Sequence, residues 1–392
     1  MKKSGLVALT TALVVLMSMP AEARGHPRGQ PRNPGVTLGV APNTVDYGRD
    51  VNVSGTIDPP AAGEHVVIKT TQGDTVASGD TDASGAFQAS FVPDRNMTIH
   101  AEWGAESSPG ADVGVRAVVE VKIEDVRLFG DALVTGTVAP PNGGAPVDIR
   151  LMVGSRKAAS VQANMNPTGE FKVKIHIDEP GTYEAVATFE DASHLQGTAT
   201  SAKRDTPLPN LHQGSHGIAV LLLERRLVEL NYHLTGVNQA FDERTADAVL
   251  GFRKVQGMVR TSTVDVAAWR ALADPKLPQA ASNMTRFHIE VDLSKQVLYT
   301  VKAQKITNIL HVSTGKPSTP TPPGKYHIMF KQPGMNSLGM FWSAYFLQHF
   351  AIHGYADVPN YAASHGCVRI PYWEAKWIYD LAKIRTPMWI YP

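Results

Sequence analysis

Cys367 is the only cysteine in 392 residues; it closes the run Ser364-His365-Gly366-Cys367, and a second histidine, His353, lies fourteen residues upstream beside Gly354. A thiol becomes a strong nucleophile when a nearby imidazole takes its proton, leaving a thiolate and imidazolium whose attraction lowers the thiol pKa. Both histidines qualify as that base. His365, two residues from Cys367, shares its side if the segment is extended. His353 arrives from a neighbouring strand end with greater freedom of approach and is the preferred base. No Asp or Glu stands in an obvious orienting position, Asp357 lying in the intervening loop, so a backbone carbonyl near Gly354 is the expected acceptor for the other ring proton. Gly366 lets the chain pass close to a reacting carbon, and the amides of Gly366 and Cys367 are the expected donors to a developing oxyanion. Arg369 suits either a clamp on a substrate carboxylate or a surface salt bridge. Ser364 serves either the catalytic geometry or the turn. Cys367, His353 and His365 also offer three zinc ligands, but their spacing matches no recognised zinc site, so neither metal nor cofactor is expected.

The composition narrows the setting of that chemistry. A chain of 392 residues with 43% hydrophobic content is long enough for two to four domains. A net charge of +1 gives no polyanion-binding surface, and no basic stripe interleaved with aromatics is present, so nucleic acid is not an expected partner. Lys2-Lys3, the apolar stretch Leu6 to Met19 and Ala21-Glu22-Ala23 read as an export signal over residues 1–23; the apolar run is shorter than a bilayer helix needs. The expected location is therefore the cell wall or periplasm, or outside the cell. A single cysteine cannot form an intramolecular disulfide, which leaves Cys367 either reactive or an inert buried thiol.

Residues 24–36, rich in Pro, Gly and Arg, read as a flexible lead-in, after which the sequence repeats. Tyr47 to Pro60 matches Phe129 to Pro141, with Gly55 and Gly136 in corresponding positions, and Ser84-Gly85-Ala86-Phe87 matches Thr168-Gly169-Glu170-Phe171. Short alternating runs separated by Gly, Pro, Asn and Asp turns predict two tandem β-sandwiches, residues 37–116 and 117–204. Neither carries calcium-loop or metal-ligand spacing. They resemble immunoglobulin-like modules of bacterial surface proteins, which implies a spacer or scaffold role, with adhesion as the alternative.

The period then changes. Val220, Leu223, Leu227 and Leu230 recur at helical spacing, a second helix is predicted from Glu243 with Ala246, Val249, Leu250 and Phe252 inward, and a third over Val264 to Leu272 around Trp269. Residues 205–275 resemble the peptidoglycan-binding module of cell-wall hydrolases through Leu211, Gly214, Gly217, Val220, Leu223, Leu227, Leu230, Tyr232, Gly236, Phe241, Thr245, Phe252, Gly257 and Trp269. Asn231 stands where that family usually has Gly, and the turn at Met258 to Thr263 is only partly kept. The resemblance implies cell-wall contact through this module, or simple positioning of the next one.

Residues 285–392 return to strands: Phe287 to Leu293, Gln296 to Val301, Ile306 to Val312 and Lys325 to Phe330 are predicted, with one helix over Tyr372 to Leu381. This region resembles the L,D-transpeptidase (YkuD-like) catalytic domain through His353-Gly354, Ser364-His365-Gly366-Cys367-Val368-Arg369, Ser313-Thr314-Gly315, Thr321-Pro322-Pro323-Gly324 and Phe341-Trp342. The resemblance implies that Cys367 attacks a peptidoglycan stem peptide, releases the terminal D-alanine and passes the acyl group from a thioester to the amine of a neighbouring stem, making a 3-3 cross-link. It implies His353 as base, the Gly354 carbonyl as its orienter, His365 as support and Arg369 in substrate recognition, with Tyr326, Met340 and Trp342 lining the cleft. Water in place of the amine gives an L,D-carboxypeptidase. A chain used only as a wall-binding scaffold is the non-enzymatic alternative. The expected fold class is thus multidomain: two immunoglobulin-like β-sandwiches, a small three-helix module and a mainly β catalytic domain.

Overall fold

Alternation of apolar and polar residues is realised as β-structure through most of the chain. The computed structural model describes residues 35–392; the expected export signal and nearly all of the lead-in lie outside them. The described residues are mainly β, with four helices. None of those helices is long and apolar enough to cross a membrane. The chain divides into two compact units, one of residues 35–43, 50–92 and 97–113, the other of residues 44–49, 93–96 and 114–392.

In the first unit Val51–Asp58 is the central strand of one sheet, flanked by Gly35–Val36, Gly39–Ala41 and Ala86–Phe91. A second sheet sets His65–Thr70 between Thr75–Asp80 and Met97–Trp103. The inward members of the alternation, Val51, Val53, Ile57, Val66, Ile68 and Ile99, are all buried. In the second unit, Val118–Val126, Asp131–Ala139 and Glu170–His176 form one sheet, and Arg156–Asn164, Pro146–Val153, Thr182–Asp191 and His194–Thr200 another. Gly55 and Gly136 explain their place in the repeat. A Cβ on Gly55 would lie 1.9 Å from the Thr37 carbonyl oxygen and 2.6 Å from the Phe87 ring; one on Gly136 would lie 2.1 Å from the Glu120 oxygen and 2.3 Å from the Phe171 ring. In each copy the phenyl ring seats over a strand stripped of its side chain.

Helices α1 (Ile218–Glu229), α2 (Glu243–Gln256) and α3 (Val266–Ala273) follow. The Asp242 side chain caps α2 by accepting from the Arg244 and Thr245 amides, Gly257 ends it with φ 71°, and Asp265 caps α3 through the Ala268 amide. Val220, Leu223 and Leu227 of α1, Phe252 of α2 and Trp269 and Leu272 of α3 share one buried cluster with Val134 and Ile149 on one side and Val297, Tyr299 and Ile309 on the other. The helices are therefore part of a continuous core rather than an appended layer.

The last 105 residues build two sheets. One is ordered Lys305–His311, Val297–Lys302, His288–Asp292, Pro387–Tyr391, Gly324–His327; the other is ordered Phe330–Met335, Phe341–Leu347, Phe350–Gly354, Val368–Ile370. The predicted strand Lys325 to Phe330 is a departure: the chain turns between the two sheets there. Ile328 is fully buried at the corner, its amide donating to Thr386, so the run serves two sheets instead of one. Helix α4 (Tyr372–Leu381) packs on the second sheet, and Gly354 makes the approach close enough, since a Cβ there would sit 2.6 Å from that of Ala375.

Gly55→Ala and Gly136→Ala are each expected to cost about 1–3 kcal/mol by overpacking. Gly39→Ala, whose Cβ would meet only the Ser54 carbonyl at 3.6 Å, should stay within about 0.5 kcal/mol. Denaturant midpoints of the three variants test the contrast, and equal midpoints contradict it.

Candidate active site

Strand pairing assembles the site. Val368–Ile370 runs parallel to Phe350–Gly354 with Ile352 opposite Val368, His353 opposite Arg369 and Gly354 opposite Ile370. Side chains alternate along each strand and align across the pair. Ile352, Val368 and Ile370 therefore turn together into the apolar core under α4. Ala351, His353, Cys367 and Arg369 are left on the opposite face. There Cys367 packs against Met340, Tyr345 and Ala351.

His353 is 2% exposed, and its Nδ1 lies 3.0 Å from the Gly354 carbonyl oxygen. A carbonyl can only accept, so Nδ1 carries the proton and Nε2 keeps its lone pair. The Tyr355 ring meets the imidazole edge-on at 5.8 Å, and the Arg369 guanidinium lies 4.1 Å from the centre of that same ring. Burial lowers the His353 pKa to about 4, opposed by the Gly354 carbonyl and assisted by Arg369. Burial likewise raises the Cys367 thiol, against the smaller opposing pulls of the Ala351 amide and Arg369. Its Sγ lies 3.8 Å from the His349 carbonyl oxygen. Burial thus favours the thiol and the neutral imidazole, where a thiolate and imidazolium were the expectation from residue types. Desolvation is the largest cause of both shifts.

The turn before Cys367 is held by hydroxyls. Buried Ser364 donates from Oγ to the Cys367 carbonyl at 2.6 Å and accepts from the Gly366 amide at 3.1 Å. Its amide donates to the Thr314 carbonyl, while its own carbonyl accepts from the Lys316 amide and from Thr319 Oγ1. Thr321 Oγ1 donates to the Gly366 carbonyl at 2.9 Å and accepts from the Gly315 amide at 2.8 Å. Ser313 exchanges two backbone hydrogen bonds with Arg369 and donates from Oγ to the Tyr361 carbonyl. Gly366 has φ 113°, and a Cβ there would lie 2.4 Å from the Phe350 ring.

Four expectations change on this geometry. The Gly366 amide is engaged by Ser364, leaving the Cys367 amide as the remaining oxyanion donor of the expected pair. His365 is exposed, with Nε2 3.3 Å from Lys316 Nζ, because the positive φ at Gly366 breaks the alternation that would have set it beside Cys367. Trp342 packs its ring on α4, against Tyr379 at 4.8 Å with Lys376 over it at 5.2 Å. Its backbone has φ 50° beside a register shift, so the ring turns to the helix side of the sheet. Tyr326 stacks obliquely on Phe346, and its hydroxyl donates to the Pro322 carbonyl at 3.1 Å, tethering the Thr321 to Gly324 loop rather than presenting itself to a ligand. Met340 does stand by the thiol. Tyr345 and Tyr355 escaped the sequence reading, as did the hydroxyls of Ser313, Thr319 and Thr321, although the Ser-Thr-Gly and Thr-Pro-Pro-Gly loops marked where some would be found. Among the described residues, no group of three or more His, Cys, Asp or Glu is placed to hold a metal ion.

Comparison with known proteins places this site in a family. Residues 286–390 match the L,D-transpeptidase catalytic domain, YkuD. An L,D-transpeptidase of the YkuD type from Bacillus licheniformis is 29% identical over 87 residues, which are 21% of this chain and 53% of that protein; the chain thus spans about half the length of that relative. The solved L,D-transpeptidase of Xylanimonas cellulosilytica is 30% identical, covering 47% of this chain and 99% of that one, with a TM-score of 0.45. An L,D-transpeptidase structure from Mycobacterium smegmatis is 11% identical over 70% of this chain and 99% of its own, with a TM-score of 0.25.

With His353 as the neutral base, acyl transfer is expected to switch on as pH rises through about 4, where burial places the loss of the imidazole proton. A pH–rate profile of Cys367 acylation checks this, and an acid limb at the ordinary imidazole value near 6.5 contradicts it. Ser364→Ala removes both turn hydrogen bonds and should lower acylation by about tenfold or more, each buried bond being worth about 1–3 kcal/mol. Ser364→Thr should keep much of the activity; an alanine variant as fast as the parent rules the turn out as a positioning device.

Proposed function

We propose that this chain is a peptidoglycan L,D-transpeptidase that works through a thioester on Cys367. The observation that carries the reading is the shared strand face of Cys367, His353 and Arg369, with His353 Nδ1 committed to the Gly354 carbonyl so that Nε2 is the free base. Sγ attacks the carbonyl joining the third stem residue to the terminal D-alanine, and Nε2 takes the thiol proton. The Cys367 amide faces the oxyanion. As the tetrahedral adduct collapses, the C–N bond breaks and the imidazolium returns its proton to the departing D-alanine amine. The amine of a second stem then attacks the thioester, giving up a proton to His353, and the thiol is restored with a 3-3 cross-link formed.

Arg369, held over Tyr355, is the group for a donor carboxylate. Met340 and Tyr345 supply the apolar wall beside the thiol. His365 belongs to the exposed rim with Lys316, where it meets substrate rather than supporting the base. The remainder of the chain fits delivery to the wall: two immunoglobulin-like modules at 37–116 and 117–204, a peptidoglycan-binding-like module at 205–275 and the catalytic domain at 285–392, in an exported protein.

Incubation with disaccharide-tetrapeptide followed by mass spectrometry tests the reading. The expected product is a dimer lacking one D-alanine, together with an adduct on Cys367 of the donor minus D-alanine. Cys367→Ala should lower turnover by at least about a thousandfold, as loss of a nucleophile does. A tripeptide monomer alone means carboxypeptidase, and neither product means that the assignment is wrong.

A further inference from the structure

The nine residues from Tyr355 to Ala363 connect the base to the nucleophile turn, and much of what fixes them comes from outside the catalytic sheets. Lys254, on the last turn of α2, is 3% exposed; its Nζ donates to the Gln296 carbonyl at 3.1 Å, the Val312 carbonyl at 2.9 Å and His311 Nδ1 at 2.6 Å. His311 is itself 2% exposed, and its Nε2–H donates to the Val358 carbonyl at 2.8 Å. That chain of donors allows a single neutral tautomer of the imidazole. Arg260, on the turn after α2, donates from one guanidinium nitrogen to the Asn360 carbonyl at 3.1 Å and from another to the Ser294 carbonyl at 2.7 Å. Asn360 answers by donating Nδ2 to the Arg260 carbonyl at 2.6 Å.

The loop is therefore pinned at Val358 and Asn360 by residues of the helical region, directly or through His311. Its first residue, Tyr355, donates its amide to the Ile370 carbonyl, and its ring contacts both Arg369 and His353. Three residues span at most about 10 Å, so anchoring Val358 and the Tyr355 amide leaves that ring little freedom.

We propose that Lys254 and Arg260 are positioning residues of the reaction: from α2 and the turn after it they set the Tyr355 to Ala363 loop, and through Tyr355 the placement of His353 and Arg369. The helical region then acts on the chemical step, in addition to any contact it makes with the wall. This rests on the catalytic reading above, but its test does not require turnover.

The test uses the full chain with Arg260→Ala, Lys254→Met, Arg260→Lys and a control, Leu272→Ala, which opens the buried core of α3 without touching the loop. The substrate-free readout is the NMR titration of the imidazole resonance that disappears in His353→Gln. Arg260→Ala and Lys254→Met should move its midpoint from about 4 toward the ordinary 6.5 as the loop loosens and water reaches the ring. They should also lower the acylation rate by about ten- to hundredfold, the scale of a small misplacement. Arg260→Lys, which keeps a donor near the Asn360 carbonyl, should recover part of both. Leu272→Ala should lose stability yet keep the midpoint. An unmoved midpoint in Arg260→Ala, or an equal shift in Leu272→Ala, overturns the proposal. A shifted midpoint in a protein that forms neither tripeptide nor cross-link sustains the positioning role and discards the catalytic reading.

Discussion

The parallel pairing of Phe350–Gly354 with Val368–Ile370 is the constraint on which the site depends. Its register decides at once which side chains meet the core and which stand on the opposite face. A slip of one residue would turn Val368 and Ile370 outward and bury the thiol and guanidinium in their place. Ile352, Val368 and Ile370, all fully buried, make that slip expensive, so the chemistry on one face is specified by hydrophobic burial on the other.

The turn before the strand meets a different demand. To bring Cys367 beside Ala351, the chain takes a positive φ at Gly366 and closes a polar turn around buried Ser364. Ser364 and Gly366 are buried there, so their amides and carbonyls are matched within the protein. Ser364, Thr319 and Thr321 do this with short hydroxyls, and the Thr314 carbonyl accepts from both Ala363 and Ser364. Residues that look like catalytic accessories in a motif serve here to make the turn affordable.

Local patterns proved legible where the physics is local. The helical period at Val220, Leu223 and Leu227, the second helix from Glu243 and the helix from Tyr372 all depend on residues a turn apart. The repeat exposed Gly55 and Gly136, whose reason is a phenyl ring thirty-odd residues on. The thiol, its candidate base and the arginine were visible as residue types in one short run. Orientation was not. A bulge and positive φ turned Trp342 to the helix side, and Gly366 reversed the side on which His365 falls, each a single backbone torsion that alternation cannot anticipate. The links from Lys254 to His311 and from Arg260 to Asn360 cross 57 and 100 positions, and nothing in the sequence marks those pairs as neighbours. The charge state of the thiol also escaped, since burial by Met340, Tyr345 and Ala351 is a tertiary property.

That protonation preference bears on how long the sulfur lasts. Peroxides and stray electrophiles react with thiolates far faster than with thiols. Cys367 stands without a second cysteine to resolve a sulfenic acid as an internal disulfide, so an oxidised sulfur has no rescue within the chain. Burial that favours the protonated sulfur makes it correspondingly less open to such attack.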